Sequence, residues 1–378
     1  VDLTLSPSEQ AFRDELRGWL VANHPGEEPK DREAQFEFRR AWQQKLQEQH
    51  FAGLSWPEEY GGRGATMMEQ AIYYEELARQ KVPYPANLLG LVMGGPVVIA
   101  HGTDEQKARF LNPILTGEEI WCQGFSEPDA GSDLASLKTR AVKVDGGWKA
   151  TGQKVWTSYA HQAKWCMLVA RTDPDVPKHA GLTYMIMDMK QQGVEVRPLR
   201  QITGDSDFNE VFIDDVFVPD ENVIGEVGDG WKVAITTLMF ERAGLGMASS
   251  IVIQQDLEEL AELIRERGLD GDPAIRQRFG ELMVLSETMR LNGYRGLSRV
   301  IQDGIPGPEG SIVKWQWADI NQALTELAME VRGADAPLTD SPWTYRFLRA
   351  RANSIEGGTT EIQKNILAER VLGLPRMR

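Results

Sequence analysis

The sequence predicts an α+β fold in which a helical segment, a β unit and a second helical segment follow one another. Three observations carry that prediction. The chain opens on apolar residues at helical spacing, switches near Trp121 to short alternating runs with turn residues between them, and returns to helical spacing after Gly230. Blocks of this kind are segregated; a doubly wound parallel sheet would alternate strand and helix instead. The expected division is a helical domain over 1–118, a β domain over 119–226 and a helical domain over 227–378.

The first helix is marked by Ser6, Pro7 and Glu9, a capping-box start, followed by Phe12, Leu16, Trp19 and Leu20 on one face. Further helices are expected over 32–50, 67–80, 87–101 and 104–116. KTRAVKVDGGWKATG reads as a hairpin around Asp145-Gly146-Gly147, and KWCMLVART, LTYMIMDM and EVFIDDVFVP read as further strands. In the last segment the helices are broken at GLDGDP, DGIPGPEG and RGADAPLTDSP. There is no internal repeat and no low-complexity tract, and the linkers are short.

With 378 residues the chain can bury substantial cores. Its 41 basic and 56 acidic residues give a net charge of −15, which repels phosphate backbones and anionic membrane surfaces, so neither nucleic acid nor membrane is an expected partner. Cys122 and Cys166 are too few for a disulfide framework or a zinc cluster and read as buried thiols. VDLTLSPSEQAFRDEL has no basic run leading into an apolar stretch, and no segment reaches roughly 18 apolar residues, so the expectation is a soluble, untargeted, cytoplasmic protein. No dinucleotide or P-loop glycine motif and no H-E-x-x-H is present, which disfavours nicotinamide, nucleotide hydrolysis and zinc.

Two stretches of the β unit remain. WCQGFSEPDAGSD ends a strand in small and polar residues, and QKVWTSYA carries Trp156. Such loops can offer N–H groups and hydroxyls to a polar ring edge while the indole covers its face. Each alone also reads as a turn or a core tryptophan.

Together with IEGGTTEIQKNILAERVLGLP, these stretches resemble the acyl-CoA dehydrogenase family across essentially the whole chain. GFSEPDAGSD is similar to its flavin- and thioester-binding loop, QKVWTS to its flavin-covering strand, and the last stretch to its C-terminal signature. The resemblance implies a middle β-barrel domain, a C-terminal four-helix bundle, bound FAD, and oxidation of an acyl-CoA to the 2,3-enoyl-CoA. It places Phe125, Ser126, Trp156 and Ser158 on the flavin, Ser132 on the substrate, and Thr359 and Glu361 near the cofactor of a neighbouring subunit. Ser158 stands where Thr is common and Glu361 where Gln is common. An electron-transfer flavoprotein is the implied acceptor.

The reaction needs a base for the α-proton. Many members supply it as Glu of a Tyr-Glu-Gly-Thr motif, but matching Gly358-Thr359 to that motif leaves Gly357 at the position, with Glu356 one residue early. In WKVAITTLMFERAGLGMA, Ala234, Leu238, Glu241 and Leu245 share a helix face, and a carboxylate on an apolar stripe has a raised pKa. A Glu paired with its neighbour Arg242 is the plain alternative. The resemblance favours Glu241 as base, because members of the isovaleryl-CoA type carry theirs in a Glu-Arg pair on this helix. Arg242 and Gly357 then fall on the substrate side, the Gly357 N–H toward the thioester oxygen. Gly244 and Gly246 hint at room for a bulky or branched acyl chain.

Two family segments are missing. The Arg-x-x-Phe-Gly…Gln segment is absent, RQRFGEL falling later, and RGADAP replaces a Gly-Gly-x-Gly loop. Both normally hold the adenosine-diphosphate half of FAD across a subunit interface. Their absence points to a hetero-oligomer with a related chain, as in the α2β2 dehydrogenases that shorten steroid side chains, with a homotetramer as the alternative. Competing readings are a half-site or non-catalytic subunit of such a complex, and a flavin monooxygenase or nitroalkane-oxidising relative.

Overall fold

The computed structural model describes residues 4–303, 307–308, 310–338 and 341–375, excluding the side chains of 240–247 and 303. The chain forms two compact units, one of Pro25–Ala65 and Pro83–Glu241, the other of Val1–His24, Thr66–Val82 and Arg242–Arg378.

In the first unit, helices α2 (Arg32–Glu48), α4 (Gly95–His101) and α5 (Asp104–Thr116) accompany one eight-stranded mixed sheet. Its strands are β1 (Trp121–Gly124), β2 (Arg140–Val144), β3 (Gly147–Ser158), β4 (Trp165–Arg171), β5 (Leu182–Asp188), β6 (Val194–Pro198), β7 (Phe208–Pro219) and β8 (Val223–Ile224). They run in the order β6-β7-β3-β2-β4-β5-β8, with β1 parallel to β4.

The period of two sorts the side chains of β4 and β5 onto opposite faces. Trp165, Met167, Val169, Leu182, Tyr184 and Ile186 join Val97, Val98, Phe110 and Ile114 from α4 and α5 in one core. The alternate residues Cys166, Leu168, Ala170, Met185 and Met187 meet Ala141, Ala150, Val211, Ile213 and Val216 of β2, β3 and β7 in another. The second core is enclosed by strands of the one sheet, which therefore curls around its own side chains as a barrel does. Both cysteines are buried free thiols, and Cys122 and Cys166 lie opposite each other in the β1–β4 ladder.

The hairpin expected at Asp145-Gly146-Gly147 joins β2 to β3, with Val144 opposite Gly147 and Gly146 at φ +72°. The helix expected over 87–101 differs in detail: a π-helical turn occupies Gly90–Gly94 before α4. Here Trp56 Nε1 donates to Leu91 O at 3.1 Å, and a Cβ on Gly95 would lie 1.8 Å from the Trp56 ring. The glycines let the tryptophan pack directly on the helix backbone.

In the second unit α1 (Pro7–Asn23) starts with the expected capping box: Glu9 N donates to Ser6 Oγ at 3.3 Å and Ser6 N to Glu9 Oε2 at 2.7 Å. Helix α3 (Met67–Arg79) starts the same way on Thr66 and Glu69. The rest is α6 (Gly230–Glu266), whose first turns belong to the first unit, α7 (Pro273–Asp303), α8 (Gly310–Arg332), α9 (Pro342–Ala350) and α10 (Thr360–Arg370). Ile253, Leu257, Leu260, Met289, Leu324, Leu327 and Trp343 form their core. Among the described residues no helix is long and apolar enough to cross a membrane.

Candidate functional site

The loop after β1 begins where packing is tightest. A Cβ on Gly124 would lie 2.6 Å from Cys166 Sγ, so only glycine lets β1 end this close to β4. Phe125 is buried edge-on against Tyr184, their ring centroids 6.0 Å apart. Ser126 is half-buried, and its carbonyl accepts from Val155 N at 2.9 Å, tying the loop to β3. Beyond Ala130 the chain is exposed through Ser132 and Asp133, and Asp133 pairs with Lys178 at 2.7 Å.

Glu127 is the buried anchor of this loop. Its carboxylate accepts from Lys138 N at 2.6 Å, Thr139 N at 2.8 Å and Lys154 Nζ at 2.9 Å. Lys154 is fully buried and also donates to Phe125 O at 3.1 Å. Burial works against the Glu127 carboxylate, but the Lys154 charge and the hydrogen bonds from Thr139 and Lys138 outweigh it and hold its pKa below the usual range. Burial pulls the Lys154 ammonium down, opposed by Glu127.

The β3–β7 ladder slips between Lys154 and Thr157, a bulge that places Trp156 at φ +59°. Left-handed backbone is unfavourable for a bulky residue and is kept where the surroundings enforce it. The result is an indole 60% exposed, steadied by Phe208 edge-on at 6.0 Å. Ser158 lies opposite Phe208 in the ladder and is half-buried.

This set suits the ring of a flavin. It offers an exposed flat aromatic face and neutral hydroxyls on Ser126 and Ser158, while the one buried charge pair nearby is internally neutralised. Phe125, Ser126, Trp156 and Ser158, singled out in the sequence, are thus brought together; Glu127 and Lys154, which join them, were not. The available signal was a lysine inside a strand that otherwise reads as packed.

In the second unit the C-terminal loop holds Gly357 at φ +62° and Gly358 at φ +90°, conformations that favour glycine. Buried Gln363 donates to Gly357 O at 3.1 Å and Gly358 O at 3.4 Å. Thr359 caps α10, its hydroxyl accepting from Ile362 N at 3.2 Å. Glu361 is exposed, its pKa lowered by its own backbone N–H and then by the Thr359 hydroxyl. Glu356 is engaged elsewhere: Arg349 grips it at 3.0 and 2.7 Å and Asn353 donates at 2.7 Å. Glu241 and Arg242, with Gly244 and Gly246, fall on α6, but their side chains lie outside the described residues.

Comparison with known proteins identifies the family of the chain. The chain matches the acyl-CoA dehydrogenase N-terminal domain over residues 6–118, the middle domain over 122–216 and the C-terminal domain over 228–372. It is 42% identical over 385 residues to acyl-CoA dehydrogenase IpdE1 of Mycobacterium tuberculosis, covering 97% of this chain and 98% of that protein. To acyl-CoA dehydrogenase FadE34 of the same organism it is 47% identical over 321 residues, covering 85% of this chain but 44% of that protein. Among solved structures, the ChsE4-ChsE5 complex of M. tuberculosis aligns over 100% of both chains with a TM-score of 0.86 and 30% identity. The Tcur3481-Tcur3483 steroid ACAD aligns over 100% of both with a TM-score of 0.87 and 26% identity. With all three of its characteristic domains matched in order, the chain belongs to the acyl-CoA dehydrogenase family of flavin-dependent oxidoreductases.

Proposed function

We propose that the chain oxidises a bulky acyl-CoA, of the steroid or branched type, to its 2,3-enoyl-CoA, using FAD and an electron-transfer flavoprotein-type acceptor. The observation that carries this reading is the exposed Trp156 on left-handed backbone, tied through Val155 to Ser126. FAD, when bound, would supply the hydride-accepting chemistry needed at the β-carbon. Phe125, Ser126, Trp156 and Ser158 hold its ring, and Thr359 and Glu361 face the cofactor of a neighbouring subunit.

Glu241 abstracts the α-proton, with Arg242 beside it in sequence and Ser132 on the substrate side. Gly357, lacking a side chain, leaves space for Glu241 to reach the substrate, and its N–H helps polarise the thioester oxygen. The Arg349 ion pair supports this division of labour, because a Glu356 already held by Arg349 and Asn353 is poorly placed to act as base. The acyl class is supported by the steroid ACAD likeness. We assign the domains to 1–118, 119–226 and 227–378, and the working assembly to an α2β2 hetero-oligomer with a related chain, supported by the heteromeric ChsE4-ChsE5 relative.

The test is anaerobic titration of the flavin-loaded protein, alone and with candidate partner chains, against acyl-CoAs of different shape. Bleaching of the flavin is the expected result. Glu241→Gln should retain FAD yet slow bleaching by at least about 1,000-fold. Near-normal bleaching in that variant rejects Glu241 as the base.

A further inference from the structure

The Lys154–Glu127 pair joins the two segments that carry Phe125, Ser126, Trp156 and Ser158, and it is an expensive way to join them. A buried ion pair gives up much of the hydration of both charges, and well-packed apolar residues of similar volume serve stability as well or better. What apolar side chains cannot do is hold several backbone groups at fixed positions.

This pair does so for three backbone groups. Lys154 takes the Phe125 carbonyl and the Glu127 carboxylate, and that carboxylate gathers the N–H groups of Lys138 and Thr139 at the entry to β2. Lys154 is itself the residue at which the β3–β7 ladder breaks register, two before Trp156. Val155, between them, donates to Ser126 O. One buried ammonium therefore sets the start of the loop, the start of the bulge and the distance between them.

We propose that Lys154 and Glu127 are positioning residues that preorganise the flavin-ring cradle, fixing Phe125-Ser126 against Trp156-Ser158 before the cofactor arrives. The inference rests on the flavin reading above. It assigns the pair a purpose in binding geometry rather than in holding the chain folded, and it makes a charge-free substitution informative.

Lys154→Met keeps the bulk of the side chain and removes the ammonium; Glu127→Gln combined with Lys154→Met also removes the carboxylate left unpaired. Each is compared with wild type by thermal unfolding without FAD, by hydrogen exchange of the segments 122–133 and 153–159, and by FAD titration followed by fluorescence quenching and by the shape of the visible flavin band. All are measured in the assembly in which wild type binds FAD. The expected result is a double variant that unfolds close to wild type, with faster exchange confined to those two segments, at least about tenfold weaker FAD binding and a visible band shifted from wild type.

Wild-type affinity, band shape and exchange in both variants overturn the proposal. Failure of both to fold also overturns it, because the pair then serves the fold itself. A wild-type chain that takes up no FAD in any assembly rejects the flavin reading instead, which separates the two failures.

Discussion

Two carboxylates in the second unit show how surroundings decide what the same group does. Glu356, at the position beside the family's usual base, spends both oxygens on Arg349 and one also on Asn353. Glu356→Gln should therefore lower turnover by less than about tenfold, by loosening the Gly357 loop rather than by removing a proton acceptor. A loss as large as that of Glu241→Gln, with FAD retained, moves the base to this loop. Asp256 has the opposite problem. It is 8% exposed, and burial pushes its pKa up to about 6 despite Arg346 at 3.2 Å, while Glu259 competes for the same guanidinium at 2.6 Å. Between the ordinary 3.8 and about 6 the folded chain holds a proton that the unfolded chain has released, so stability rises as pH falls through 6 and levels off below 3.8. Above pH 6 the buried charge costs on the order of 3 kcal/mol. Asp256→Asn should raise the unfolding temperature at pH 8 by several degrees and have little effect at about pH 3.5, where the carboxyl is largely protonated in both states. Equal effects at both pH values would show that packing, not ionisation, is being measured.

At the scale of single elements, the bulge in β3 is where local preference and function disagree. Trp156 sits in left-handed backbone with most of its indole in solvent, so the fold gains little from the side chain and carries the strain. Trp156→Gly relieves the strain and adds chain entropy to the unfolded state; the two nearly offset, and stability without FAD should stay within about 1 kcal/mol of wild type. FAD binding should weaken at least tenfold, about the effect of losing one aromatic face. A large loss of stability with unchanged FAD affinity would make Trp156 a packing residue. The bulge also explains what the sequence could and could not tell. Elements whose pattern is local were legible: the Ser6 and Glu9 cap, the hairpin at Gly146, and the short apolar runs of β4 and β5. Val194–Pro198 escaped because an exposed edge strand of five residues has no apolar run to mark it, and the π turn at Gly90–Gly94 because it answers to Trp56, distant in sequence. The site was legible as three motifs, since loop residues and special glycines leave local signatures. The pair that joins two of them was not, because Glu127 and Lys154 are 27 residues apart and their meeting is a tertiary fact.

For the whole molecule the open variable is what completes the cofactor sites. The chain lacks the Arg-x-x-Phe-Gly…Gln and Gly-Gly-x-Gly segments, and it places an exposed carboxylate, Glu361, in the first turn of α10, where a phosphate would otherwise be favoured. Copies of this chain would then face one another with the same deficiency on both sides, since a symmetric interface repeats whatever each subunit lacks. On the hetero-oligomer proposal, a related chain that retains those segments would supply them once per unlike pair, and a net charge of −15 would give a partner with a basic face an electrostatic advantage during encounter. The expected outcome is that the chain expressed alone holds little flavin, whereas co-expression with its partner yields a species with the native mass of an α2β2 assembly and about one FAD per pair of unlike chains. Adding salt should slow association more than it speeds dissociation, as electrostatic steering requires. Native mass together with the flavin-to-protein ratio decides the matter: a homotetramer of this chain alone, with every site filled by tightly held FAD and full activity, overturns the hetero-oligomer and means that other residues of this chain replace the missing phosphate contacts.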